Sequence, residues 1–298
     1  MNDLIAVIIP TWNLLDDLID CIESIKRSTY PNLIIIVVDN NSTDGTSDYL
    51  KTNYPEILII QNSTNLGFAV AVNQGITKAI ELKSKSLFIL NNDTIIFPNT
   101  ISNLHKILKS DTSIGIISPK VMFFDSPDII YSIGDKVYPI IPIPFRIGFK
   151  KRNKKKYTKL FYLDYVTGCA MLIPTSTINK VGYFTEKYFM YYEDAEYCFR
   201  ARKMDLKIVC DGNTEILHKV AYSSRKIKEQ IISLRSKNRI LFFHSYNHGH
   251  FGFLSIPLIV IIDIVKIIKF YFIEHDKLKT QAYLNGIITG LREIRVKI

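Results

Sequence analysis

Short apolar runs alternate with amphipathic segments through the first 118 residues, and this alternation limits the possible folds more than any other feature. Five runs rich in branched side chains predict buried strands at residues 4–9, 33–38, 57–60, 86–90 and 114–118. Helical spacing predicts helices between them: one after Asn13, which would cap it, one ending near Thr52, and two at 68–83 and 99–109. Such alternation predicts an α/β fold in which a mostly parallel sheet has helices on both faces.

The pattern becomes irregular from residue 119 to 163, which predicts an insertion with a flexible basic loop. Regularity returns with a strand at 165–174, a helix at 193–204 and a strand at 207–210. We therefore expect one domain over residues 1–225 and a helical C-terminal region over 226–298. The basic loop contains Arg146, Lys150, Lys151, Arg152, Lys154, Lys155, Lys156 and Lys159.

The C-terminal region contains a strongly apolar stretch at residues 251–273 that is interrupted by Asp263, Lys266 and Lys269. Its charge-free part, 251–262, is shorter than the roughly 20 residues that a membrane-spanning helix needs. Charges at every third position lie on one side of a helix, which predicts an interfacial helix with its lysines toward lipid headgroups. The alternative is an amphipathic helix packed on the domain or on a second subunit.

The net charge of the chain indicates which kinds of molecule it binds. The chain has 38 Lys and Arg against 28 Asp and Glu, a formal net charge of +10, which favours phosphate-bearing partners. The basic loop contains few aromatic side chains for base stacking, so we expect no nucleic-acid partner.

The four cysteines form no CxxC pair, which argues against a zinc knuckle and for reduced thiols. The N-terminus leads directly into a strand without a secretory-signal pattern, so a cytoplasmic location is expected.

The residues that follow the predicted strands are the candidate site, because ligands of open α/β sheets bind beyond the carboxyl ends of the strands. After the first strand comes 10–13, Pro-Thr-Trp-Asn, which is neither a dinucleotide fingerprint nor a phosphate loop. Asp39 follows the second strand and Asp93 the fourth. Carboxylates there suit Mg²⁺ or Mn²⁺ that also bridges substrate phosphates. The alternative for both is a turn in which the side chain bonds its own backbone.

A second acidic cluster, Glu193-Asp194, stands at the start of a predicted helix and follows Tyr191-Tyr192. The positive end of the helix dipole keeps a carboxylate ionised there. Such a carboxylate can act as a general base toward a sugar hydroxyl. The alternative is ordinary negative charge at a helix N-terminus.

Taken in order, these motifs resemble those of family 2 glycosyltransferases with the GT-A fold, and most closely the rhamnosyltransferase-like branch that builds bacterial and archaeal surface polysaccharides. The resemblance covers about residues 4 to 220. The segments that carry it are 7–13 (VIIPTWN), 37–46 (VVDNNSTDGT), 65–69 (NLGFA) with 73–76 (NQGI), 91–93 (NND), 168–174 (GCAMLIP) and 193–194 (ED).

The resemblance implies a role for each matching residue. Asp39 would bond the base or ribose of the donor, and Asp93 would hold Mg²⁺ or Mn²⁺ on the diphosphate, with Asn91 in place of the first aspartate of a DxD element. Asp194 would deprotonate the acceptor, and Glu193 would help to place it. His218 would be a further metal ligand, or else a structural histidine, and Arg225 a diphosphate contact. The implied nucleotide-sugar contacts are Pro10, Thr11, Asn13, Asp39, Asn41, Asn65, Gly67, Asn73, Asn91 and Asn92.

The resemblance also implies the reaction. A Gln-x-x-Arg-Trp motif of processive synthases is missing, so we expect one sugar, rhamnose or another hexose, to be added per acceptor. The expected donor is a UDP- or dTDP-sugar, the expected acceptor is a saccharide linked to polyprenyl diphosphate, and the expected location is the inner face of the cytoplasmic membrane. Single displacement with inversion is expected; retention would need Glu193 as nucleophile.

Two other functions are alternatives to this one. A sugar nucleotidylyltransferase would need a glycine-rich basic loop after the first strand, which residues 10–13 do not provide. A membrane-surface phosphate-binding module with a degenerate transferase site would use only the basic loop and the tail.

Overall fold

The computed structural model describes residues 3–137, 144–220, 228–246 and 252–295. The chain divides into two compact units. Unit 1 comprises Met1–Asp135, Arg146–Phe189 and Glu193–Val220, and unit 2 comprises Lys136–Phe145, Met190–Tyr192 and Ala221–Ile298. Arg225 of the implied diphosphate contact lies outside the described residues.

Unit 1 is built on one large sheet. The described strands are β1 (Ile5–Thr11), β2 (Leu33–Asp39), β3 (Leu58–Gln61), β4 (Ser86–Leu90), β5 (Thr94–Ile96), β6 (Ile114–Phe123), β7 (Ser126–Ser132), β8 (Asp135–Lys136), β9 (Phe145–Arg146), β10 (Leu160–Leu163), β11 (Ala170–Pro174) and β12 (Lys207–His218). The strand order in the large sheet is β10-β12-β6-β11-β4-β1-β2-β3, with β5 paired to β12 and β7 to β6. The strands β1 to β4 pair in parallel, whereas β11 runs antiparallel between β4 and β6.

Helices cover both faces of this sheet, which makes its central strands the core. Every residue of β1 and of β4 is buried, as expected for parallel strands covered on both sides. The helix α3 approaches β1 so closely that a Cβ at Gly75 would overlap the side chain of Ile8. The helices of unit 1 are α1 (Leu15–Lys26), α2 (Thr46–Asn53), α3 (Phe68–Glu81), α4 (Thr100–Ser110), α5 (Thr175–Val181) and α6 (Glu193–Lys203).

The predicted irregular insertion at 119–163 is mostly ordered structure. The strand β6 continues to Phe123, and β7 and β10 extend the sheet. The basic loop is anchored rather than flexible, because Asn153 accepts a hydrogen bond from the buried Lys120 and donates one to Glu215. The last strand is also longer than predicted: a register shift between Asp211 and Glu215 lets β12 run on to His218.

Asn13 does not cap α1, contrary to the sequence prediction. Leu14 occupies the N-cap position with φ 65°, and no side chain bonds the helix start from there. Asn13 itself has φ 59° and its Oδ1 accepts the N–H of Thr43. The Leu15 N–H is instead bonded by the carboxylate of Asp44. A side chain from the next loop therefore does the capping.

Unit 2 contains three long helices among its described residues: α7 (Lys228–Tyr246), α8 (Gly252–Ile268) and α9 (Lys277–Arg295). A π-helical turn, Lys269–Ile273, follows α8 directly. Gly286 allows α9 to lie close to α7, since a Cβ there would overlap Ser236 and the backbone of Ser233. Within the described residues, no helix combines the length and the apolar character that crossing a bilayer requires.

Of the three charges that were expected on the polar side of α8, only Asp263 is buried, whereas Lys266 and Lys269 are exposed. Asp263 is only 7% exposed and accepts hydrogen bonds from Arg239 of α7 and Tyr283 of α9. The Lys266 ammonium lies 5.6 Å from the Tyr283 ring centroid. A buried charge is tolerated only when it is paired and hydrogen-bonded, and Arg239 and Tyr283 provide this for Asp263.

Candidate active site

The loops after β1, β2 and β4 are joined by hydrogen bonds at the carboxyl edge of the sheet. The Asn92 amide donates to Thr11 Oγ1 at 2.8 Å and to the carbonyl oxygen of Asn13 at 3.3 Å. The Asn13 N–H donates to Ser42 Oγ at 2.7 Å. Pro10 and Thr11 are the buried last residues of β1. Three of the predicted donor contacts, Thr11, Asn13 and Asn92, therefore lie together in one polar network, and Pro10 is next to them in β1.

Asp39 lies at the end of β2 and is completely buried. One carboxylate oxygen accepts the N–H of Ser42 at 2.9 Å, and the other accepts the Ser47 hydroxyl. The turn that was the alternative interpretation is therefore present. Its effect is to hold the loop between β2 and α2 against the neighbouring loop that carries Asn13. Asn41, the other predicted contact in this loop, is exposed and has φ 63°.

Asn65 and Gly67 shape the loop before α3. Asn65 Oδ1 accepts the N–H of Gly67 at 3.0 Å. Gly67 has φ +87°, and a Cβ there would overlap the backbone of Phe189, so only glycine fits. The sequence analysis missed Asn40, which is buried and donates to the carbonyl of Gly67 at 3.2 Å. A buried amide between two loops has no signature in the sequence.

Asn73 is a buried residue of α3 whose amide group is almost fully used inside the protein. Its Nδ2 donates to the carbonyl of Phe184 and to Glu186, and its Oδ1 accepts the N–H of Phe184. Asn73 thus fixes the segment that leads toward α6. The predicted nucleotide contact at this position remains a prediction, with one acceptor lone pair left to make it.

The residues 91–93 lie next to the segment before β11. The Asn91 N–H donates to the carbonyl of Cys169 at 2.9 Å, because β4 and β11 pair antiparallel with Leu90 opposite Ala170. The end of one strand therefore meets the beginning of the other. Asn91 and Asn92 are half-buried at this junction, and Asp93 is buried.

Asp93 and His218 form a close pair. Asp93 Oδ1 lies 3.0 Å from His218 Nε2, and both side chains are about 8% exposed. The pairing of β5 with β12 brings them together, with His218 opposite Thr94 in the register. The other ring nitrogen of His218, Nδ1, is buried without a hydrogen-bond partner among the described residues.

Asp194 and Glu193 begin α6 and have different environments. Asp194 is half-buried and accepts the N–H of Gly168 at 2.9 Å and that of Ala195 at 2.7 Å. Glu193 is buried, and its Oε2 has no hydrogen-bond partner in the described part of the chain. Burial, and then the charge of Asp194, raise the pKa of Glu193 well above its ordinary value. Burial also raises the pKa of Asp194, which the Gly168 and Ala195 N–H groups counteract.

Backbone hydrogen bonds link the 91–93 loop and Asp194 to the same short segment, Gly168–Cys169. Gly168 donates to Asp194, and the adjacent Cys169 accepts from Asn91. Burial, followed by the negative charges of Asp93 and Asp194, raises the pKa of the Cys169 thiol. These backbone contacts and the Asn92 network bring the loops that carry the three predicted acidic residues together at one edge of the sheet.

Asp135 and Arg146 are residues near the site that the sequence analysis did not single out individually. Arg146 Nε lies 3.6 Å from Asp135 Oδ1, and its guanidinium lies 5.5 Å from the ring centroid of Tyr131. Tyr131 in turn makes an edge contact with His218 at 5.0 Å. Burial raises the pKa of Asp135 to about 6, with Arg146 opposing the shift and Asp194 adding to it. Arg146 was grouped with the basic loop, but through Asp135 and Tyr131 it lies next to the Asp93–His218 pair.

The donor set fits a divalent cation bound partly by the substrate. No group of three or more His, Cys, Asp or Glu side chains is placed to hold a metal in the ranges that the structure describes. The Asp93–His218 pair supplies two ligand groups, because Asp93 Oδ1 and His218 Nε2 lie 3.0 Å apart and can be neighbouring ligands of one cation. Mg²⁺ and Mn²⁺ in phosphate-transfer sites take one or two protein groups and complete their shell with substrate oxygens and water. An imidazole nitrogen beside the carboxylate favours Mn²⁺ over the harder Mg²⁺.

Comparison with protein families decides the class of this site. The family model described as "Glycosyl transferase family 2" matches residues 6–175, which is more than half of the chain and contains the loops after β1, β2 and β4. This chain belongs to glycosyltransferase family 2. It is therefore a glycosyltransferase, as the resemblance implied.

Two curated relatives are similar to this family member. It is 30% identical over 174 residues to the "Low-salt glycan biosynthesis hexosyltransferase Agl10" of Haloferax volcanii, covering 58% of this chain and 54% of that protein. The chain thus spans about half the length of that relative. It is 22% identical over 270 residues to the "N-acetylglucosaminyl-diphospho-decaprenol L-rhamnosyltransferase" of Mycobacterium tuberculosis, covering 84% of this chain and 87% of that one.

The fold is shared with a solved member of the same class of enzyme. The mannosyltransferase PcManGT from Pyrobaculum calidifontis, solved in complex with GDP-Man and Mn²⁺, superimposes with a TM-score of 0.61 at 14% identity. The match covers 98% of this chain and 88% of that chain. The predicted GT-A fold of the glycosyltransferase is thereby confirmed.

Proposed function

We propose that this glycosyltransferase moves one sugar, rhamnose or another hexose, from a UDP- or dTDP-sugar to a saccharide acceptor, with inversion at the anomeric carbon. The proposal is supported by two backbone contacts: Asn91, two residues before Asp93, bonds Cys169, and Gly168 bonds Asp194. The Asp93–His218 pair would offer ligand groups for a cation on the donor diphosphate. Asp194 would offer a carboxylate for the acceptor hydroxyl.

The donor end of the proposed site is the network formed by Thr11, Asn13, Asp39 and Asn92. Its hydrogen bonds fix the loops before substrate arrives, so little reorganisation accompanies binding. Asp93 and His218 would hold Mn²⁺ or Mg²⁺. When bound, such a cation supplies positive charge next to the leaving diphosphate.

The acceptor end is Asp194. Its two N–H donors, from Gly168 and Ala195, stabilise the ionised form and orient the carboxylate. Asp194 would take the proton of the attacking hydroxyl as the new glycosidic bond forms and the bond to the diphosphate breaks. A single carboxylate acting on the acceptor corresponds to single displacement, and hence to inversion.

The relatives support a lipid-linked acceptor and a role in glycan assembly. The mycobacterial relative is named for transfer of L-rhamnose to a decaprenol-linked acceptor, and the Haloferax relative is named for glycan biosynthesis. We propose the same chemical class here, namely a saccharide on polyprenyl diphosphate presented at the inner face of the cytoplasmic membrane.

The proposal is tested by offering UDP- and dTDP-sugars to the full-length protein with Mn²⁺, with Mg²⁺ and with chelator. We expect release of the nucleoside diphosphate from one donor, faster with Mn²⁺ than with Mg²⁺ and abolished by chelator. The anomeric configuration of the product is then read by NMR. A retained configuration would rule out single displacement, and turnover that is equal with chelator would rule out the cation at Asp93 and His218.

A further inference from the structure

The outer side of α8 is a continuous apolar surface. Val260, Ile261, Ile264, Val265 and Ile268 recur at helical spacing along one face and are 46% to 58% exposed. Phe272 of the following π-helical turn continues the same side and is 65% exposed. We call these six residues the α8 apolar face. Contiguous exposed apolar surface of this kind marks an interaction site.

The rotation of α8 is fixed from its opposite side. Asp263 accepts hydrogen bonds from Arg239 and Tyr283, and the Phe270 ring makes an edge contact with the Tyr283 ring at 5.5 Å. Turning the apolar face inward would break the buried pairing of Asp263 and leave a charge without a partner, which is strongly unfavourable. The α8 apolar face is therefore held outward by the packing of α7, α8 and α9.

The charge of this region indicates which partner covers the face. Residues 228–298 contain eleven Lys and Arg and five Asp and Glu, a formal net charge of +6. A second copy would bring the same positive charge against it, which opposes self-association. The inner leaflet of a membrane is negatively charged and attracts basic segments, while its acyl region accepts apolar and aromatic side chains.

We propose that the α8 apolar face inserts into the headgroup and acyl boundary of an anionic lipid bilayer, with α8 lying along the membrane surface. In this orientation the exposed Lys266 and Lys269, with the other basic residues of the C-terminal region, are available to the lipid phosphates. The inference goes beyond the proposed transfer reaction, and its test does not use turnover.

The test is flotation of the full-length protein with vesicles of phosphatidylcholine, with or without phosphatidylglycerol. The variant Ile261→Glu with Val265→Glu places two charges on the α8 apolar face at positions that are already exposed. We expect it to lose binding to the anionic vesicles by about tenfold or more. The matched control is Ile288→Glu with Leu291→Glu, which makes the same charge change at exposed apolar positions of α9 and should bind as the parent does.

A spectroscopic reporter gives a second readout. Trp12 is the only tryptophan, so Ile261→Trp in a Trp12→Phe background reports on position 261 alone. We expect its emission to shift to shorter wavelength on addition of anionic vesicles. An unshifted emission, or flotation of the Ile261→Glu/Val265→Glu variant equal to the parent, would overturn the proposal. A parent dimer that this variant converts to monomer, without vesicle binding by the parent, would assign the face to a second copy instead.

Discussion

At the scale of residues, two adjacent carboxyl groups have been given different chemistry by their surroundings. Asp194 has backbone N–H donors on both oxygens, whereas Glu193 has a buried oxygen without a partner in the described chain. Hydrogen bonds to an ionised carboxylate favour that form, and burial beside a like charge disfavours it. Asp194 is thus suited to be the base, whereas the surroundings of Glu193 favour its protonated form.

The first prediction follows from this difference. Glu193→Gln replaces the carboxyl group by a neutral amide that mimics its protonated form, so we expect kcat for nucleoside diphosphate release to stay within a few-fold of the parent. Measurement of kcat and KM with the preferred donor checks it. A loss as large as that of Asp194→Asn would show that Glu193 acts in its ionised form, as a nucleophile or base.

A second prediction concerns Asp135, whose burial raises its pKa from the ordinary 3.8 to about 6 despite the nearby Arg146. The native state therefore binds this proton more tightly than the unfolded chain, so stability attributed to Asp135 falls as pH rises from about 4 to 6. Asp135→Asn removes the ionisation. We expect it to stabilise the protein at pH 7 by on the order of 1–3 kcal/mol, with the gain vanishing at pH 4.

Denaturant unfolding of Asp135→Asn and its parent at several pH values measures this effect. Asp128→Asn is the control, because Asp128 is 61% exposed and pairs with Arg152 at the surface. That change should leave the free energy of unfolding nearly the same at every pH. Destabilisation by Asp135→Asn at pH 7 would show that the ion pair with Arg146 outweighs the burial of Asp135.

At the scale of elements, the sequence predicted the regular strands and helices of residues 4–118 and missed the short or edge strands. The strand β1 is recognisable in the sequence because it is a run of mostly branched apolar residues. The strand β5 has only three residues, Thr94–Ile96, which is too short for such a pattern. The strand β7 begins with Ser126, Pro127 and Asp128, which are polar or turn-forming residues. Such strands are held by their neighbours in the sheet, and their own residues carry no periodic signal.

The lack of long-range information in a local sequence pattern also explains which site residues could be predicted from the sequence. Asp39, Asp93 and Asp194 stand at element boundaries, which a sequence shows directly. The Asp93–His218 pair depends on β5 and β12 being neighbours, a pairing between residues distant in the chain. The resemblance named His218 as a ligand, but the contacts of Asp135 with Arg146 came only from the folded structure. Long-range pairing is the part that local patterns do not contain.

A third prediction belongs to the packing of α3 on β1. Gly75→Ala adds a methyl group that would overlap the Ile8 side chain, so we expect a loss of about 1–3 kcal/mol in the free energy of unfolding. In an Ile8→Ala background the methyl group has space, and the cost should shrink. A double-mutant cycle by denaturant unfolding measures this coupling. Equal costs in both backgrounds would contradict the close approach of α3 to β1.

At the scale of the whole molecule, each of the two units has its own chemistry. Unit 1 gathers the acidic and amide side chains of the transferase site at one edge of its sheet. Unit 2 presents the α8 apolar face and has an excess of basic residues. The sequence identified the tail as apolar with three regularly spaced charges. It did not show which side faces outward, because that depends on the pairing of Asp263 with Arg239 and Tyr283.

The most direct test of the account compares Asp194→Asn with its parent in donor turnover and in nucleotide binding. Asparagine keeps the size of the side chain and removes the base. We expect nucleoside diphosphate release to slow by about 10²–10⁴-fold, with the dissociation constant for the nucleotide, measured by calorimetry, nearly unchanged. Release by Asp194→Asn at the rate of the parent, with the donor bound equally well, would contradict the assignment of Asp194 as the base.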